Sequence, residues 1–129
     1  MDFINYLHPT QMEILSTLQQ ANVVVLENQK SCNPKGTWDG WTITPRDRRN
    51  PYKNTMLVMC TDSIQSVYSD WQFEINRTLA HEAVHVAQSC KDGQGGLQTL
   101  GFRKDLEKEA VAIQDNPKEV LRILKKYCL

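Results

Sequence analysis

Apolar residues recur at helical spacing through residues 71–89, and few polar residues interrupt them. From Leu79 to Gln88, six of ten positions are Leu, Ala or Val, and they fall on all sides of a helix. The stretch contains no Pro or Gly, and Asp70 in front of it is a suitable N-cap. The pattern therefore predicts a buried helix over about 71–89.

Shorter patterns flank this helix. An amphipathic stretch at 9–21 predicts a first helix with a buried stripe of Met12, Leu15 and Leu18. The predicted strands are short β-branched or alternating runs: 23–26, 37–44 and 55–60. A short helical turn and two further helices are predicted at 62–69, about 102–114 and about 117–127. Turn-rich segments predict loops at 45–54 and 91–101.

This order of a helix, a group of strands and then helices is typical of the α+β class. We predict a small sheet of about three strands packed on helix 71–89, which is followed by two further helices. A chain of 129 residues has enough material for one compact domain, so residues 1–129 are predicted to form a single domain.

Charge and composition narrow the classes of function. Lys+Arg and Asp+Glu both number 15, and the resulting balance argues against a general binder of nucleic acid or anionic membranes. The first residues show no signal-peptide pattern, and the longest apolar run, 23–26, is too short to cross a bilayer. We therefore expect a soluble, intracellular protein located in the cytoplasm.

The four cysteines are Cys32, Cys60, Cys90 and Cys128. They are scattered and form no C-x-x-C pair, which excludes a zinc ribbon. An even number permits two disulfides, but disulfides are rare in a reducing compartment. We expect four free thiols.

The polar residues of helix 71–89 include an H-E-x-x-H pentapeptide at 81–85. On a helix, His81 and His85 lie one turn apart on one face, and two imidazoles at this spacing can hold one zinc ion. Glu82 could then serve as general base toward a water molecule activated by the metal. Burying these three side chains is costly unless they are paired or bind a metal, which favours a metal site over a chance motif.

A catalytic zinc site has three protein ligands and one open position, so a third ligand is needed. The extended metzincin pattern is absent, because Gln88 and Lys91 stand where it requires Gly and His. A carboxylate on the next predicted helix is the simplest source. Glu109 borders the apolar part of that helix and is the predicted ligand, although it could be one more surface charge. Asp105 and Glu107, which adjoin lysines, are interpreted as a solvated face.

These segments resemble gluzincin metallopeptidases, in particular the small ones called minigluzincins. Residues 78–85 are similar to their motif helix, 107–110 to their downstream glutamate helix, and 55–60 to the strand in front of the motif. The order of Cys60, Cys90 and Cys128 is loosely similar to that in small mitochondrial peptidases that process an ATP-synthase subunit. That family's Asp after the motif and its cysteine-rich tail are not reproduced here.

The resemblance implies a zincin-like metallopeptidase domain, a hydrolase that cleaves peptide bonds in a peptide or protein substrate. Zinc would be held by His81, His85 and Glu109. Glu82 would take a proton from water and pass it to the leaving amine. Strand 55–60 would form the sheet edge that pairs with an extended substrate.

Two points stay open in the sequence. Tyr68, Tyr127 and His8 are candidate donors to the transition-state oxyanion, and no motif selects among them. The rival interpretation of the whole chain is a catalytically silent, metallopeptidase-like module for binding or regulation. The intact Glu82 argues against it, because a module that only binds has no need of a general base.

Overall fold

A computed structural model of the chain describes residues 2–43, 55–92 and 104–129. In these residues it has five α-helices and one three-stranded sheet, which confirms the predicted α+β class. The helices are α1 (Pro9–Gln20), α2 (Thr61–Val67), α3 (Trp71–Asp92), α4 (Lys104–Ile113) and α5 (Pro117–Cys128). The strands are β1 (Val24–Glu27), β2 (Gly40–Ile43) and β3 (Met56–Met59). Short 3₁₀ turns occupy Asp2–Tyr6 and Lys30–Cys32. The predicted loop at 45–54 and residues 93–101 of the second one lie outside the described residues.

The three strands are arranged in the order β1-β3-β2, with β3 parallel to β1 and antiparallel to β2. The strand predicted at 55–60 is therefore the centre of the sheet, and the expectation that it forms the edge beside the site was wrong. The physical reason is its composition, since Leu57, Val58 and Met59 are all fully buried. A strand that is apolar on both faces belongs between two neighbours. Among the described residues, the edge on that side is β2.

Strand β2 lies against α3, and a glycine permits this close approach. A Cβ atom placed on Gly40 would come within 2.9 Å of both the Thr78 Cγ2 atom and the Val58 carbonyl oxygen. It would also lie 3.4 Å from the Cγ atom of Glu82. A larger residue would force β2 away from the motif helix, so Gly40 sets the distance between the sheet edge and the site.

Helix α3 is the centre of the domain and packs against α1, α4 and α5 as well as the sheet. Its apolar side chains from Ile75 to Ala87 are almost fully buried, as the pattern predicted. One expectation for α1 was wrong, because Met12 is 45% exposed. The buried face of α1 runs through Gln11, Ile14, Leu15 and Leu18, and this i, i+3, i+4, i+7 stripe leaves Met12 to one side.

All four cysteines form disulfides, Cys32–Cys60 and Cys90–Cys128, so the prediction of free thiols was wrong. The paired Cα atoms lie 5.5 Å and 5.2 Å apart. The partners are separated by 28 and 38 residues, and packing of the elements that carry them brings them together. Cys90 and Cys128, for example, lie near the C-terminal ends of α3 and α5. Disulfides are rare in the cytoplasm, so these two argue against the cytoplasmic location, which stays a prediction.

We expect alkylation to report this pairing directly. Protein unfolded without reductant should take up no thiol label, and the same protein unfolded after reduction should take up four, because each disulfide blocks two thiols. Mass spectrometry of the intact chain distinguishes the two states. Uptake of four labels before reduction would show that the thiols are free and would restore the original expectation.

Across the described residues, no helix is both long enough and apolar enough to cross a membrane.

Candidate metal centre

His81 and His85 project from one face of α3, as their spacing predicts. Their ring centroids lie 5.0 Å apart, with the rings nearly perpendicular. The side chains are 15% and 7% exposed, so both imidazoles are largely removed from water. A buried imidazole needs a partner for each nitrogen that carries a proton or a lone pair.

The Nε2 atoms of both histidines face one carboxylate, that of Glu107 on α4. Its Oε1 atom lies 2.9 Å from His81 Nε2, and its Oε2 atom lies 3.0 Å from His85 Nε2. Glu107 was interpreted as a solvated surface charge, and this interpretation was wrong. Glu109, the predicted third metal ligand, contacts Gln88 instead of the histidine pair, and its role as a ligand stays a prediction.

The face that α4 turns toward α3 explains this correction. Glu107 and Ala110 lie on one side of the helix at i and i+3. Gln114, at i+7, directly follows the helix, and its backbone amide still donates to the Ala110 carbonyl oxygen at 3.0 Å. Ala110 is fully buried, and its small side chain lets the two helices approach. Glu109 precedes Ala110 directly, and consecutive helical residues point in different directions. Adjacency in sequence to the apolar stretch was therefore the wrong criterion.

The outer nitrogens of the two rings contact glutamines. His81 Nδ1 lies 2.8 Å from Gln114 Oε1, and His85 Nδ1 lies 2.8 Å from Gln88 Oε1. The orientation of the Gln88 amide is fixed, because its Nε2 atom donates to the Leu106 carbonyl oxygen at 2.9 Å and to Glu109 Oε1 at 2.8 Å. Sequence reasoning assigned no role to either glutamine. The sequence did contain one indication of such a role, because Gln88 is a polar residue three positions after His85 in an otherwise apolar helix.

The polar atoms around the two rings are arranged as in a cation site. Each ring has an oxygen atom at both nitrogens, whereas a neutral imidazole has only one N–H to donate. With the protons on the two Nδ1 atoms, both Nε2 lone pairs face the Glu107 carboxylate, and a cation between them would satisfy all three groups. Ligand atoms of His81, Glu82 and His85 also lie within 4.8 Å of one another. These residues could hold a metal ion.

Glu82 lies at the edge of this cluster and is held by the sheet. Its Oε2 atom is 3.9 Å from His81 Nε2, and its Oε1 atom accepts a hydrogen bond of 2.9 Å from the Thr42 hydroxyl on β2. Burial raises the pKa of Glu82 above its ordinary value, while the nearby His85 and His81 and the Thr42 hydrogen bond lower it in part. A carboxylate so placed is suited to accept a proton.

A cavity of about 640 Å³ opens over the cluster. β2 and the residues just before it line one side and α3 lines another, while Leu106 and Glu107 of α4 and Gln114, directly after that helix, complete the lining. Of the three candidate oxyanion donors, Tyr68 lines this cavity. Its hydroxyl donates to Asp39 Oδ2 at 2.8 Å, and this hydrogen bond together with burial raises the pKa of Tyr68 to about 12.

The other two candidates are placed elsewhere. The Tyr127 ring lies beside the ammonium groups of Lys91 and Lys126, at 5.4 Å and 5.2 Å. His8 precedes α1 and lines a separate cavity.

Residues 3–101 match the family described as Domain of unknown function (DUF8637). The chain belongs to this family. The matched range contains His81, Glu82 and His85, and it ends before Glu107. Neither the curated proteins nor the solved structures contain a match to the chain. The resemblance to minigluzincins therefore depends on the motif residues and stays a prediction.

Proposed function

We propose that this chain is a zinc-dependent peptidase in which His81, His85 and Glu107 hold the metal. The observation that carries the proposal is the single Glu107 carboxylate in contact with both Nε2 atoms. Two histidines and one glutamate are a donor set of catalytic zinc sites, which leave a fourth position open. The glutamines at the Nδ1 atoms support it, because a metal-binding imidazole usually donates its other N–H to an oxygen.

Glu82 is the proposed general base. When bound, zinc would activate a water molecule and polarise the scissile carbonyl group. The Glu82 carboxylate would accept the proton of the attacking water and deliver it to the leaving amine. Thr42 keeps one oxygen of the carboxylate anchored to β2, which leaves the other, Oε2, on the side of His81.

The proposed substrate is an extended peptide that lies along β2. Within the described residues, β2 pairs with β3 on one side only, and it borders the cavity. A peptide can add to such an edge through main-chain hydrogen bonds. From the sequence, strand 55–60 was expected to pair with the substrate. That strand is β3, which lies between β1 and β2, so we assign the role to β2. Trp38, which is 44% exposed, offers an apolar contact at the rim of the cavity.

Metal analysis combined with an unbiased cleavage assay tests the proposal. Purified protein should contain about one zinc per chain, since the site has one set of three ligands. Incubation with a peptide mixture from a digested proteome should produce new peptide termini, detected by mass spectrometry. A chelator should stop their appearance, and added zinc should restore it.

The possible results separate the interpretations. Stoichiometric zinc without any new termini would favour the silent binding module over the peptidase. Absence of bound metal, even after zinc is added, would contradict the metal site itself.

A further inference from the structure

A chain of hydrogen bonds connects α4 to the outer side of His85. Glu109 Oε1 accepts from Gln88 Nε2 at 2.8 Å, and Gln88 Oε1 lies 2.8 Å from His85 Nδ1. Gln88 is 4% exposed, so water cannot readily substitute for these partners. Glu109 thus reaches the candidate metal centre through one intermediate side chain rather than by direct contact.

We propose that Glu109 is a positioning residue that fixes the orientation of Gln88 and, through it, which ring nitrogen of neutral His85 carries the proton. The two ends of a glutamine amide have nearly the same shape, and hydrogen-bond partners decide which end points where. Glu109 Oε1 and the Leu106 carbonyl oxygen both accept hydrogen bonds, so both require the NH₂ end. The oxygen of Gln88 is then left to face His85.

The consequence for His85 follows from its tautomers. Facing an amide oxygen, Nδ1 must carry the proton, and the lone pair of a neutral ring is then on Nε2, the atom that faces Glu107. A rotated Gln88 would present its NH₂ group to Nδ1 and favour the opposite tautomer, which cannot bind a metal through Nε2. Glu109 and the Leu106 carbonyl oppose this rotation, because a rotated amide would set its oxygen against their two oxygens.

This inference rests on the proposed metal site for its effect on zinc, whereas the tautomer can be measured without any metal. The competing explanation is that the negative charge of Glu109 attracts a cation from a distance. The Glu109→Gln variant separates the two ideas, because glutamine keeps an acceptor oxygen of the same reach and loses the charge. Lys108→Ala is the matched control, since Lys108 is an exposed neighbour on the same helix.

The first measurement is the zinc dissociation constant, obtained by competition with a chelator. Glu109→Ala should weaken zinc binding about 10–100-fold, the range typical of residues that orient a ligand. Glu109→Gln should remain close to the wild-type value, and Lys108→Ala should match it. If Glu109→Gln loses as much affinity as Glu109→Ala, charge explains the effect and the positioning role is wrong.

The second measurement uses metal-free protein that carries Glu107→Ala, so that no carboxylate of residue 107 competes for the ring proton. Nitrogen-15 NMR of the His85 ring, at a pH where the ring is neutral, should place the proton on Nδ1. Adding Glu109→Ala should give a mixture of tautomers, whereas adding Glu109→Gln should not. An unchanged tautomer in the Glu109→Ala protein overturns the inference. If no variant binds zinc, the proposed function fails, and this comparison still decides the role of Glu109.

Discussion

Replacing Glu107 with alanine is expected to abolish stoichiometric zinc binding at concentrations that saturate the wild-type chain. Glu107 is the one α4 residue whose carboxylate contacts both Nε2 atoms in the described structure. Its removal leaves two ligands on α3, and the loss should exceed the roughly 10–100-fold typical of residues that only orient a ligand. Metal content after gel filtration measures the effect.

The stability of the folded chain should depend on zinc binding. A ligand present at 100 times its dissociation constant stabilises the folded state by about 2.7 kcal/mol, so zinc should raise the unfolding temperature of the wild-type chain but not of Glu107→Ala. Asp105→Ala, an exposed carboxylate two residues earlier on α4, is the matched control and should behave like wild type. Full zinc occupancy in Glu107→Ala would mean that α4 does not supply the third ligand.

Glu82→Gln is expected to keep zinc and fold but to lose about 10²–10⁴-fold in the rate of peptide hydrolysis, the usual contribution of a general base. The amide fills nearly the same space, and its oxygen can still accept the hydrogen bond from Thr42. It cannot accept a proton from water. Initial rates on any peptide identified by the cleavage assay, measured at equal zinc occupancy, test this.

A carboxylate elsewhere in the same cavity provides the comparison. Glu74 lines the cavity wall and pairs with Arg77 at 3.5 Å, away from the histidine contacts. Glu74→Gln should therefore retain most of the activity. Near-normal hydrolysis by Glu82→Gln would show that another group removes the proton. Equal losses in the two variants would indicate a general effect of charge in the cavity.

The architecture could be predicted because its signals are local. The motif helix is apolar around its whole circumference, and a helix of that kind is buried wherever the rest of the chain goes. The last helix carries its own start signal, since the Asn116 side chain accepts a hydrogen bond from the Glu119 amide and Pro117 occupies the first turn. Neither feature requires knowledge of what packs against it.

The errors concern contacts between elements distant in sequence. From the sequence, we chose among the carboxylates of α4 by the residues next to them in the chain. In the structure, Glu107 meets the histidines because it lies on the same side of the helix as Ala110. The edge role was given to 55–60 on the resemblance to gluzincins, although this run is apolar on both faces, as a central strand is. The cysteine pairs are likewise set by packing over 28 and 38 residues. Spacing rules detect ligands and disulfides only when the partners lie close in the chain.

The Cys90–Cys128 disulfide has a consequence for the kinetics of the proposed metal site. It closes a covalent ring of chain that contains all of α4, and one end of that ring is the helix that carries both histidines. If Glu107 releases the metal first, this ring restricts how far the carboxylate can travel. The effective concentration of the detached ligand therefore remains high, and recapture competes with escape of the ion. In the proposed site, the bond would thus act as a tether that prolongs the residence time of the metal.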